Sequence, residues 1–156
     1  MTIKITLSVK DDKRVWEQIL RNMAGANDRG VVTGIFKGDI SEYAHHNEFG
    51  APNANIKKRP FMRNAFDKNQ ESYAKMFSDM WQDVTGPTHT RVTGWLTRIG
   101  IKARNDIIQT ISKGGFHKNA PSTIASKGSS KPLVDTGDMQ RAITFFVGNI
   151  KKILSK

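Results

Sequence analysis

The sequence predicts an α+β domain: a small, mostly antiparallel sheet that includes the N- and C-terminal strands, packed with two long helices and one shorter helix, plus a long basic loop. Three observations carry this. Residues 2–9 and 143–147 alternate apolar with polar side chains, the period of a half-buried strand. Residues 60–84 and 92–111 bear apolar stripes at helical spacing, separated by Gly86-Pro87. Residues 113–131 hold four lysines and no acid, with no apolar period. One domain is expected over residues 1–150 with an extended loop at 113–131, followed by a basic tail at 151–156.

In the first strand Ile3, Ile5, Leu7 and Val9 share one face. Asp11 or Asp12 can cap a helix in which Val15, Trp16, Ile19, Leu20 and Met23 recur at helical spacing, with Gly25 as a stop. Residues 31–36, β-branched and aromatic between Gly30 and Gly38, read as a second strand. Residues 41–49 are weakly helical, and the Gly, Pro and Asn residues of 50–55 break regular structure. Pro60 suits the first position of a long helix whose stripe includes Phe61, Ala65, Phe66, Tyr73, Phe77, Met80, Trp81 and Val84. Thr88 or Thr90 can cap the next helix, with Val92, Trp95, Leu96, Ile99, Ala103, Ile107 and Ile111 on one face and Gly114-Gly115 as its end. The short Gly-Pro connection implies that these two helices pack side by side. Loops as long as 113–131 are usually functional or disordered until bound. A short helical turn after Gly137 leads into the closing strand at Ile143, Phe145 and Val147.

The chain has 156 residues, 25 basic against 14 acidic, and no cysteine. That length buries a core without staples, and disulfides, thiolate nucleophiles and Cys-based zinc sites are excluded. The longest apolar run, residues 145–147, is far short of the roughly 18–20 residues that span a bilayer, so no membrane is expected. The alternating start of the chain is unlike a secretory signal. The charge is uneven: residues 1–83 carry 13 basic and 11 acidic residues, residues 84–156 carry 12 and 3. Such asymmetry points to a basic surface facing a polyanion or an acidic partner, or else to a solvated face.

Catalytic chemistry finds little support. Only His45-His46-Asn47-Glu48 clusters metal-ligand residue types, with His45 and Glu48 one helical turn apart, and His89 and His117 fall in a turn and in the basic loop. No phosphate-binding or nucleophile-elbow motif is present, and the acid pair Asp79 and Asp83 is expected on the solvated face of its helix. No catalytic residue, metal or cofactor is therefore expected. Nonspecific nucleic-acid binding is the alternative reading, from Lys57, Lys58, Arg59 and Arg63 beside Phe61, and Arg91, Arg98, Lys102 and Arg104 beyond. Phe61 and Phe66 fit the buried stripe, however, and no nucleic-acid-binding motif is present.

Two segments resemble a known pattern. Glu48-Phe49-Gly50 precedes Arg59-Pro60-Phe61, and Thr123-Ile124-Ala-Ser-Lys127-Gly128 precedes Pro132-Leu133-Val-Asp135-Thr136-Gly137-Asp-Met139. Together they are similar to the tailed-phage virion morphogenesis, minor tail or tail-completion family, in which an E-[FY]-G turn precedes an R-P-F helix start and T-I-x-x-K-G precedes P-L-x-D-T-G-x-L. Met139 stands in the usual leucine place, a volume-conserving change. The motif residues themselves suit structural work: a glycine turn at Gly50, a helix start at Arg59-Pro60-Phe61, and an Asx or ST turn at Asp135-Thr136-Gly137.

The resemblance implies a non-enzymatic virion protein of the neck or tail, assembled in the host cytoplasm as a homo-oligomeric ring. Its partners would be connector or adaptor proteins and tail tube or tail terminator proteins, with genomic DNA passing through the ring without specific binding. Lys113, Lys118, Lys127, Lys131, Lys151 and Lys152 are the expected interface residues, since lysines at an interface rim steer and orient partners.

Overall fold

The two long helices form the spine of the molecule, because their stripes face each other. The computed structural model of the chain describes residues 13–26, 28–86 and 91–155. Among these, α1 (Lys13–Ala26) leads through a turn into β1 (Arg29–Ile35), and α2 (Gly38–Phe49) follows. A single 3₁₀ turn (Pro52–Ala54) then precedes α3 (Phe61–Thr85) and α4 (Val92–Lys113). The chain closes with α5 (Pro121–Lys127), α6 (Asp138–Ala142), β2 (Ile143–Asn149) and α7 (Ile150–Leu154). The α+β class is as the sequence indicates.

Helices α3 and α4 pack antiparallel, tied by two polar bonds that step in opposite directions along them. Tyr73 Oη donates to Asp106 Oδ2 at 2.6 Å, and Trp95 Nε1 donates to Asp83 Oδ2 at 3.1 Å. Asp83 is therefore half-buried and partnered rather than solvated, while Asp79 meets Lys75 at 3.3 Å on the surface. The face of α4 expected from the sequence is the buried one, from Val92 through Leu96, Ile99, Ala103 and Ile107 to Ile111.

Strands β1 and β2 pair antiparallel from Arg29↔Asn149 to Ile35↔Ile143 and lie against α4. At Gly100 of α4 an added Cβ would stand 2.3 Å from Phe145 Cδ2, so the glycine is what lets helix and sheet approach. One core cluster joins Phe61, Ala65, Ile107, Ile111, Leu133, Met139 and Ile143, and a second joins Met80, Val84, Val92 and Leu96 at the other end of the helix pair.

Several expectations change. The strand at residues 2–9, its place in the sheet, and the caps at Asp11, Asp12, Thr88 and Thr90 lie outside the described residues. The extended loop at 113–131 is not a loop throughout: Pro121 sits in the first turn of α5, and Gly128 ends it in a left-handed conformation with its N–H on Ile124 O. Proline at a helix start and glycine just past its end supply the helix signals that the missing apolar period concealed. The tail expected from residue 151 is helical to Leu154 and folds back on the sheet, where Ile150 N–H donates to Asp28 O at 2.9 Å. Pro60 is the cap residue of α3 and Phe61 its first residue. Phe66 is exposed rather than buried, as are Trp16, Leu20, Met23, Phe77 and Trp81.

Candidate interaction surface

The Glu48-Phe49-Gly50 and Arg59-Pro60-Phe61 segments meet around the start of α3. An α-helix begins with amide donors that no earlier turn can satisfy. Here the donors find a carboxylate from another helix: Met62 N–H donates to Glu48 Oε2 at 2.9 Å and Arg63 N–H to Glu48 Oε1 at 3.0 Å. Glu48 is buried, and its charge lies at the positive end of the α3 dipole. Gly50 makes this possible. At φ 80° and ψ 160° it turns the chain out of α2, and a Cβ there would crowd Ile56 O and Lys58 N at 3.2 Å.

Arg59 is the second buried ion, and it is held by neutral acceptors. Nη1 donates to Asn47 Oδ1 at 3.0 Å, Nε to His117 O at 2.9 Å, and Nη2 to Lys118 O at 3.3 Å and Asn119 Oδ1 at 3.1 Å. Its backbone N–H also donates to Asn47 O at 2.6 Å. One guanidinium thereby fastens α2, the 51–60 turn and the 117–119 segment together, using the rigid donor fork that lysine lacks. Asn119 Nδ2 reaches on to Lys131 O at 3.5 Å. The segment between α4 and α6 is thus pinned at both ends of α5. Phe61, wholly buried, lies beneath the junction in the main core cluster.

The third motif builds the approach to α6. Thr136 Oγ1 donates to Asp138 Oδ2 and accepts Asp138 N–H, an ST-type turn, while Gly137 takes the left-handed cap position at φ 80°. The Thr136 hydroxyl, and after it Arg141 at 2.8 Å, holds the exposed Asp138 carboxyl below the usual aspartate range. Asp135 is exposed at the mouth of this turn. Leu133, four per cent exposed, is left-handed at φ 61°, a conformation that costs a bulky residue about 1–3 kcal/mol and is kept by burial in the main core cluster.

The six expected interface lysines divide into groups. Lys113 ends α4, exposed, with Nζ 3.3 Å from Gln109 Oε1. Lys118 is exposed directly after His117, and Lys131 is exposed with its backbone tied to Asn119. Lys127 is the last residue of α5. Lys151 and Lys152 stand apart on α7, which packs on β1 and β2. Sequence reasoning missed that Lys57 and Lys58 join Lys118. Lys57, Arg59, His117 and Lys118 line one groove, Lys58, His117 and Lys118 line the next, and neither lining includes an Asp or Glu. Asn47 and Asn119 were also missed as buried partners of Arg59, since a lone asparagine near a loop carries no distinguishing pattern.

His45 is exposed with its ring 4.8 Å from that of Phe49, and His46 is half-buried with its ring 6.0 Å from that of His45. Among the described residues no group of three or more His, Asp or Glu side chains could hold a metal ion, and no helix is long and apolar enough to cross a membrane. The chain matches no protein-family model, no curated protein and no solved structure.

Proposed function

We propose that this chain is a structural virion protein of the tailed-phage neck or tail, completing the tail or joining the head connector to it as a subunit of a homo-oligomeric ring. One observation supports this reading above the others: the polar groups of the motif residues Glu48, Arg59 and Thr136 are spent inside the chain. The Glu48 carboxylate caps α3, the Arg59 guanidinium binds four acceptors from two segments, and Thr136 closes its own turn. Residues used this way specify presented loops rather than a substrate site. The exposed lysines at 113, 118 and 131, with Lys127, then serve contacts with connector or tail proteins, while DNA passes without specific binding.

Charge reversal of Lys113, Lys118, Lys127 and Lys131 to Glu tests the assignment. The variant should fold, and heads and tails should accumulate unjoined. Complete virions that fail only at DNA delivery would place the lysines on the channel wall, and fully infectious particles would remove the interface.

The acid-free grooves at Lys57, Lys58, His117 and Lys118 favour a second reading, a nonspecific nucleic-acid binder. A gel shift with a salt titration decides it, because phosphate contacts release counterions and affinity then falls steeply with salt. Weak binding at all salt concentrations favours the ring subunit.

A further inference from the structure

Arg59 is a buried cation whose charge is answered by no acid among the described residues. It is 9% exposed, its four acceptors are neutral amide or carbonyl oxygens, and none of the ion pairs among the described residues includes it. Glu48, next to Asn47 in the chain, gives both its oxygens to α3 instead. The four bonds take Nε–H, both N–H groups of Nη2 and one of Nη1, which leaves one of the five guanidinium donors over. Buried charges are ordinarily paired, so an unanswered one lining a surface groove is suited to an anionic ligand.

The depression that Arg59 lines has about 750 Å³ of space and shares its lining with the exposed Lys57, His117 and Lys118. Across His117 and Lys118 it adjoins the second basic depression, which holds Lys58. Across Tyr43 and Thr123 it adjoins a third, of about 370 Å³, where the charge reverses: Asp39, Asp135 and Asp138 line it, with no Lys or Arg. These carboxylates form no metal-binding group. Arg141 pairs with Asp138, and the charge of Lys37 also acts on it, but neither Asp39 nor Asp135 belongs to an ion pair among the described residues. Basic surface thus passes into acidic surface beside the exposed Tyr43.

We propose that this lane binds an extended, mixed-charge segment of a partner protein, its carboxylates over Arg59, Lys57 and Lys118 and a Lys or Arg in the Asp39–Asp135 depression. A nucleic acid is negative along its whole length and would be repelled where the lane turns acidic, whereas opposite charges on one peptide match both parts and fix its direction. The uncharged lining agrees. Asn55, Ser122 and Thr123 are exposed there, and their amide and hydroxyl groups can pair with the N–H and C=O groups of a peptide backbone. The proposal rests on the reading of the chain as an assembly subunit and names the chemistry of the segment it receives.

A displayed library of random peptides about ten residues long, which reach roughly 30 Å when extended, tests it on the full-length protein. Recovered peptides should carry Asp or Glu and Lys or Arg at a constant separation. In fluorescence anisotropy Lys57→Gln/Lys118→Gln and Asp39→Asn/Asp135→Asn should each weaken the best of them about tenfold, the size expected for two exposed charge pairs. All four side chains are exposed, so circular dichroism should stay as wild type. Lys151→Gln/Lys152→Gln, on α7, should leave the affinity unchanged. Purely acidic peptides indifferent to the aspartate variant, equal weakening by the α7 variant, or a library yielding no peptide sensitive to the lysine variant would each overturn the proposal. So would a thymidine oligonucleotide that binds tightly and is released by the lysine variant, which would make the lane a nucleic-acid site. Mixed-charge peptides bound in this way by a protein absent from virions would leave the lane standing while the neck assignment fell. Rings at the neck built from a protein that selects no such peptide would do the reverse.

Discussion

Arg59 donates through Nη2 to Asn119 Oδ1 at 3.1 Å, a buried bond between residues 60 apart in the chain. The same guanidinium binds Asn47 Oδ1 and the carbonyls of His117 and Lys118, so its loss orphans acceptors in two separate segments. Arg59→Lys keeps the charge but offers one compact ammonium in place of the fork. It should lower unfolding free energy by about 3 kcal/mol in urea titrations, since buried polar groups left unpaired cost about 1–3 kcal/mol each with partial relaxation. Amide exchange at 117–119 should quicken in the same variant. Stability within 0.5 kcal/mol of wild type would show that the fork is not what fastens the segment.

Glu48→Gln isolates the charge of the α3 cap. The amide has one acceptor oxygen where the carboxylate gives one each to Met62 N–H and Arg63 N–H. Loss of a cap bond together with the dipole interaction should cost about 1–2 kcal/mol, measured by chemical denaturation. Glu48→Ala should cost more than Glu48→Gln, and the reverse order would contradict a capping role.

Gly100→Ala inverts the usual helix preference. Alanine is intrinsically favoured in a helix interior by about 1 kcal/mol, yet its Cβ would meet the Phe145 ring at 2.3 Å. Overpacking should dominate, with net destabilisation of about 1–3 kcal/mol. In a double-mutant cycle Phe145→Ala should relieve part of that cost, so the double variant should be more stable than additivity requires. Additive losses would place the cause elsewhere.

Much of this fold was legible because apolar period and punctuation agreed. The α4 face from Val92 to Ile111 and the closing strand at Ile143 are cases in point. Helix α5 was hidden because its surface is polar and its order comes from Arg59 and Asn119 outside it. At the candidate surface, Glu48, Gly50 and Arg59 could be singled out from the motif, whereas their partners Asn47, His117 and Asn119 are joined only by the fold.

Tyr73 gives the molecule an alkaline limit. Burial, then the hydrogen bond to Asp106 and its charge, push the phenol well above its ordinary range. The unfolded chain releases that proton near pH 10 while the native state keeps it, so the native state binds more protons there and stability falls as pH rises past about 10. Tyr73→Phe should cost about 1 kcal/mol at pH 7 through the lost hydrogen bond and should flatten the decline between about pH 10 and 11. An unchanged alkaline slope would contradict this origin.

The ring at the head–tail junction is the central claim, and negative-stain microscopy of virions carrying gold label on this chain tests it most directly. The expected images show label confined to the neck or the adjoining end of the tail, and the purified protein as closed rings of constant subunit number. Virions without label, together with a purified protein that stays monomeric at every concentration, would contradict it.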